Sequence, residues 1–69
     1  MPSKVIWSRS VTGPLACNSM TGVFYVKGAA IDEDLAAEFH QGDSVTYTCE
    51  LVREGDLLVK REFVRKSNG

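Results

Sequence analysis

Trp7 and Phe24 are two of the six ring side chains in this sequence, and Lys4, Arg9 and Lys27 are the bases of its first 31 residues. A ring can stack on an unpaired base, each stack contributing about 1–3 kcal/mol, while a cation neutralises the neighbouring phosphate. These five residues form the candidate nucleic-acid-binding set. The other reactive residue types do not assemble into a constellation. His40 is the single histidine, so a metal site built on several imidazoles is excluded, and a place near a helix end explains it better than catalysis. Cys17 and Cys49 lie 32 positions apart, which fits neither a paired-cysteine zinc motif nor a disulfide-dense secreted scaffold. They read as reduced thiols, at least one packed in the core, with a disulfide between them as the alternative. Asp32, Glu33, Asp34 and Glu38 lack the spacing of a calcium loop. No glycine-rich phosphate loop and no nucleophile elbow is present. The expectation is a protein without catalytic residues, metal or cofactor.

Size and charge bound the reading further. Sixty-nine residues make one domain, 1–69, and a chain this short buries about 60% of the surface its unfolded form exposes, too little for a deep cofactor cavity. With 43% hydrophobic positions it is too apolar to be read as disordered. The formal net charge is -1, but it is unevenly placed. Residues 1–31 hold Lys4, Arg9 and Lys27 with no acid, giving +3, and residues 32–69 hold five bases and nine acids, giving -4. A positive face opposite a negative one is compatible with that division. The sequence pI of about 5.7 is nevertheless below the basic range of strong nucleic-acid binders. Val5, Ile6 and Trp7 are too few for the apolar core of a signal peptide, and no run approaches the length of a membrane span. A soluble, cytoplasmic protein with no membrane partner is expected.

The elements that position these residues follow from periodicity. Val45, Tyr47, Cys49 and Leu51 alternate with Ser44, Thr46, Thr48 and Glu50, the period of a strand with one buried face. A turn at Gly55 returns the chain through Leu57, Leu58 and Val59 to Phe63, Val64 and Arg65, predicting a hairpin whose charged second arm discourages edge pairing. Ile31, Leu35 and Phe39 recur every four residues, so residues 31–41 predict a helix of two to three turns with acids at its start and Gly42 at its stop. Earlier, residues 4–11 and 22–27 read as strands, with a weak strand at Leu15, Ala16 and Cys17 after the turn at Thr12, Gly13 and Pro14. Simple alternation in the first strand groups Val5 with Trp7 and leaves Trp7 open to either a core or a ligand-facing role. In the third, Phe24 shares a face with Val26 and Val23 shares one with Tyr25, so one apolar face fills the interior and the other becomes an exposed stripe.

Three strands, one helix and two strands is the order of the OB-fold, an all-β, five-stranded Greek-key barrel with a short helix between strands 3 and 4. An SH3-like barrel or a small α+β sheet is the alternative. Particular residues sharpen the choice. Val5-Ile6-Trp7 is similar to a first strand that reads valine, lysine, tryptophan, phenylalanine in the cold-shock domain family; Gly13-Pro14-Leu15-Ala16-Cys17 and Val23-Phe24-Tyr25-Val26 fall on its two ribonucleoprotein motifs. Residues 42–47 look like the entry to its fourth strand, and residues 63–66 like its last. The chain thus resembles the cold-shock family over about residues 4–66, and the resemblance implies a barrel that stacks unpaired bases on ring side chains. The match is degenerate. Ser8 replaces the ring after the tryptophan, Leu15 and Ala16 stand where glycine and phenylalanine are usual, and Val26-Lys27 replaces a histidine and a ring.

Two partner classes follow. The first is single-stranded RNA or DNA, bound at Trp7 and Phe24 flanked by Lys4, Arg9 and Lys27 by a non-catalytic regulator. The second is a protein, engaged through the stripe of Val23, Phe24, Tyr25 and Val26 or through a strand edge, by a barrel that has lost its stacking platform. Either fits a monomer or a homodimer.

Overall fold

A computed structural model describes residues 3–67. The longest elements are those with the strictest alternation. β1 (Lys4–Pro14) and β5 (Ser44–Glu54) pair antiparallel along their whole length, and β5 pairs antiparallel with β6 (Leu57–Lys66), giving a three-stranded sheet of order β1-β5-β6. Gly55 and Asp56 close the β5–β6 hairpin, and Gly55 has φ +64°, the positive angle that favours glycine at the first position of a two-residue turn. Hydroxyl pairs reinforce the β1–β5 ladder: the Ser10 and Thr48 side chains meet at 2.9 Å and those of Thr12 and Thr46 at 2.8 Å.

The segment before the helix folds into a second, smaller sheet. β2 (Ala16–Cys17), β3 (Phe24–Val26) and β4 (Ala29–Ile31) pair antiparallel in the order β2-β3-β4. The protein is therefore mostly β, as expected, but with six strands in two sheets where the sequence suggested five. The extra strand arises at Lys27 and Gly28, both at positive φ (51° and 84°), which turn residues 24–31 into a tight hairpin. No closed barrel is formed by these ladders among the described residues. The two sheets meet at one corner, where the Leu15 amide donates to the Asp43 carbonyl and the Gly42 amide to the Leu15 carbonyl, each at 2.8 Å.

That corner also shortens the helix. α1 spans only Glu33–Ala36, one turn, where residues 31–41 had suggested two or three. Asp32 caps it by accepting from the Asp34 amide at 2.8 Å. The chain then leaves the helical path: the His40 amide donates to the Asp43 carboxylate at 2.9 Å, Gly42 takes φ +96°, and residues 42–43 are drawn onto Leu15. Tertiary hydrogen bonds thus win over the helical period of Leu35 and Phe39. Both side chains still pack on the core, which is made of Leu15, Val26, Ile31, Ala36, Val45 and Tyr47.

The core occupies one end of the molecule. Val45 and Tyr47 lie near the start of β5, with Val11 and Val64 packed beside them. The long sheet continues past the core, giving extents of 41 × 27 × 19 Å. At that far end Val5, Ile6, Trp7, Leu57 and Leu58 are exposed, while Val52 is fully buried with Val5 and Val59 as its cross-strand neighbours.

Candidate nucleic-acid interface

The far end of the sheet is organised by a β-bulge. Val5 is paired with Val52 and Trp7 with Leu51, so Ile6 has no opposite residue. The extra residue moves Trp7 off the face that Val5 occupies, correcting the simple alternation that grouped them. Because the β5 partners of Lys4, Trp7 and Arg9 are Arg53, Leu51 and Cys49, the three side chains share one face. Across β6 the same rows continue with Leu58, Lys60 and Glu62.

This is the face that carries the core at its other end. Its Val11–Tyr47–Val64 row lies under the small sheet, the Arg9–Cys49–Glu62 row forms the margin with Cys49 still packed on the core, and the Trp7 and Lys4 rows lie beyond it. Trp7 is 47% exposed, and Lys4, Arg9, Arg53 and Lys60 are all exposed around it. In the open part of this face four cations accompany one carboxylate, Glu62, and that carboxylate is engaged. Glu62 accepts a hydrogen bond from the Tyr47 hydroxyl, and Lys60 Nζ lies 3.8 Å from its other oxygen. Among the described residues no carboxylate forms an ion pair with Lys4, Arg9 or Arg53. Burial, followed by the hydrogen bond to Glu62, pushes the Tyr47 phenol well above its ordinary value of about 10. Tyr47 is thus a neutral donor that anchors Glu62 at the boundary between core and open face.

The five residues singled out from the sequence separate into two groups. Lys4, Trp7 and Arg9 come together on the open face. Phe24 does not join them: it is half-buried, packs against the core, and pairs with Cys17 and Ile31 in the small sheet. Lys27 sits in the β3–β4 turn with its aliphatic stem laid on Gly13. Gly13 is six residues along β1 from Trp7, about 20 Å of extended strand. Nor do residues 23–26 present an exposed stripe, since Val23, Phe24 and Tyr25 are half-buried and Val26 is fully buried.

Comparison with known proteins assigns no family. No family model matches the chain, and no curated protein or solved structure matches it significantly.

Leu51 and Arg53 of the open face were not linked to binding in the sequence, while Lys60 reads there equally well as an extension of the basic track or as a solvated strand edge. Leu51 and Lys60 were legible in principle, since a two-residue turn at Gly55 and Asp56 fixes their pairing. Arg53 was not, because its position opposite Lys4 depends on the β1–β5 register and on the bulge. The remaining reactive groups stay apart. Cys17 and Cys49 are free, half-buried thiols, and His40 is an exposed side chain whose Nδ1 lies 3.9 Å from Asp43. Among the described residues, no three histidine, cysteine, aspartate or glutamate side chains converge to hold a metal, and no helix is long and apolar enough to cross a membrane.

Proposed function

We propose that this protein is a non-catalytic, cold-shock-like module that binds single-stranded RNA or DNA on the open end of its long sheet. The observation that carries the reading is Trp7, half-exposed in the middle of a face whose cations Lys4, Arg9 and Arg53 have no acidic partner among the described residues. A single exposed ring among unpaired cations suits a base with phosphates on either side, and it suits any base, because stacking is sequence-tolerant. In this reading the two sheets are the halves of an OB-like barrel whose third strand has been folded into the β3–β4 hairpin. The corner bonds between Leu15 and residues 42–43 support that view. One ring supplies one stack, so affinity is modest and strongly salt-dependent.

Trp7 is the single tryptophan, so its fluorescence reports the site directly. Titration with oligo-dT or oligo-rU at low salt is expected to quench it, and added salt is expected to reverse the quenching. An unchanged emission at high oligonucleotide concentration rejects the proposal.

A protein partner is the second reading, favoured by a separate observation. Leu57 and Leu58 are 68% and 63% exposed at the hairpin tip, next to the open edge of β6. Capture of partners from a host lysate with and without nuclease distinguishes the two: nucleic-acid-mediated partners are lost on nuclease treatment, and direct protein partners are retained.

A further inference from the structure

Within that open face, Lys4 and Arg53 are directly opposite one another on β1 and β5. Residues paired in this way have Cα atoms about 4.5–5.5 Å apart, and like charges so placed destabilise a sheet. Two cations of β6 do have acidic neighbours: Arg61 lies 3.6 Å from Glu54, and Lys60 lies 3.8 Å from Glu62. No such partner is found for Lys4 or Arg53 among the described residues. The two cations also line an open recess of about 450 Å³ together with Val5 and Ile6; because Val5 belongs to the opposite face, the recess lies at the end of the sheet beside the β1 bulge, next to the open face. The bulge at Ile6 helps to shape this recess, since it is where β1 departs from regular pairing.

We infer that the Lys4–Arg53 pair is the seat of a phosphate, and that it fixes how a single strand lies on this protein. Trp7 occupies the next row, two residues along β5 and about 7 Å away. That is the scale of one nucleotide in an extended strand. A phosphodiester held between Lys4 and Arg53 therefore places the adjacent base within reach of Trp7, and Arg9, four residues along β5 and about 14 Å from the seat, meets the second phosphate beyond it. The strand runs along β1 toward the core and stops where the small sheet begins, so the footprint is two to three nucleotides. The assignment of the phosphate to a nucleic acid rests on the function proposed above; the anion seat itself rests on the unpaired cations and their recess.

The test separates these two levels. Melting of the wild-type protein is compared with that of Arg53→Gln and Lys4→Gln, with pyrophosphate or chloride at equal ionic strength. Removing either charge relieves the repulsion, so each variant is expected to melt higher than wild type in chloride. Pyrophosphate is expected to raise the wild-type midpoint, and to lose that effect in both variants. In parallel, Arg53→Gln is expected to weaken oligo-dT binding about tenfold, the scale of one charge-assisted contact. It is also expected to reduce the slope of log K against log salt by about 0.7. Equal pyrophosphate shifts in wild type and variants overturn the seat, even if oligo-dT still quenches Trp7. Specific pyrophosphate stabilisation with no Trp7 quenching upholds the seat and rejects nucleic acid as its ligand. Pelleting with phosphatidylserine vesicles in the absence of an oligonucleotide response assigns the seat to a lipid headgroup and overturns the strand path.

Discussion

The two ends of the long sheet are built from the same three strands yet differ in what covers them. At the core end, the face containing Val45, Tyr47, Val11 and Val64 is closed over by β2, β3, β4 and the single turn of α1. At the other end, the same face carries Leu51, Trp7 and Leu58 with four cations, and it lies open. Among the described residues, only Val52, on the opposite face, is fully buried there. The difference assigns stability to one end and ligand contact to the other. A chain of this size cannot bury apolar surface everywhere, and the surface it leaves uncovered carries the interaction.

Mutations at the two ends should therefore differ most in their effect on folding. Leu15, 1% exposed, fills the interface between the sheets, so Leu15→Ala is expected to cost about 2–5 kcal/mol, enough to unfold much of a marginal domain at 25 °C. Leu58→Ala, at the open tip, should cost less than about 0.5 kcal/mol. Urea denaturation of the pair is decisive: comparable losses would mean that the hairpin tip is packed in solution, contrary to the division drawn here.

The boundary between the ends can be probed through Tyr47. Tyr47→Phe removes the donor to Glu62 and is expected to cost about 1–2 kcal/mol at neutral pH. The effect of pH has a definite sign. Because the folded phenol titrates above its ordinary value of about 10, the unfolded chain releases this proton first as pH rises past 10. Stability from this group is complete below pH 10 and declines above it. The wild-type protein should thus lose stability faster than Tyr47→Phe between pH 10 and 11.5 in urea titrations monitored by circular dichroism. Parallel curves would show that the phenol is not shifted.

The smallest effect concerns the turn that holds the open end in register. Gly55→Ala places a side chain at φ +64° and is expected to cost about 1 kcal/mol, while Trp7 binding retains its strength as long as the protein is folded. A lost oligonucleotide response in a fully folded Gly55→Ala protein would instead implicate the tip itself in recognition.

Much of the long sheet was legible because its signals are local. The alternation of residues 44–51 and the glycine at position 55 specify β5, the turn and β6 without reference to the rest of the chain. The small sheet was less so. Lys27 is not a residue that announces a positive φ, so the Lys27-Gly28 turn was hidden and residues 22–27 read as one strand in place of the start of a hairpin. The helical period of residues 31–39 is real, but backbone bonds to Leu15 end the helix after one turn. The site was half visible for the same reason. Lys4, Trp7 and Arg9 are close in sequence and remain close in space, whereas Arg53 reaches them only through the register, and Phe24 and Lys27 are carried to the core end.

The division between a stabilising end and a binding end is tested most directly by amide chemical-shift mapping of the folded protein during titration with oligo-dT at low salt. The expected result is a set of perturbations confined to residues 4–9, 49–53 and 58–62, with residues 24–31 unaffected. Perturbations centred on Phe24 and Lys27, or none on β1, would contradict it.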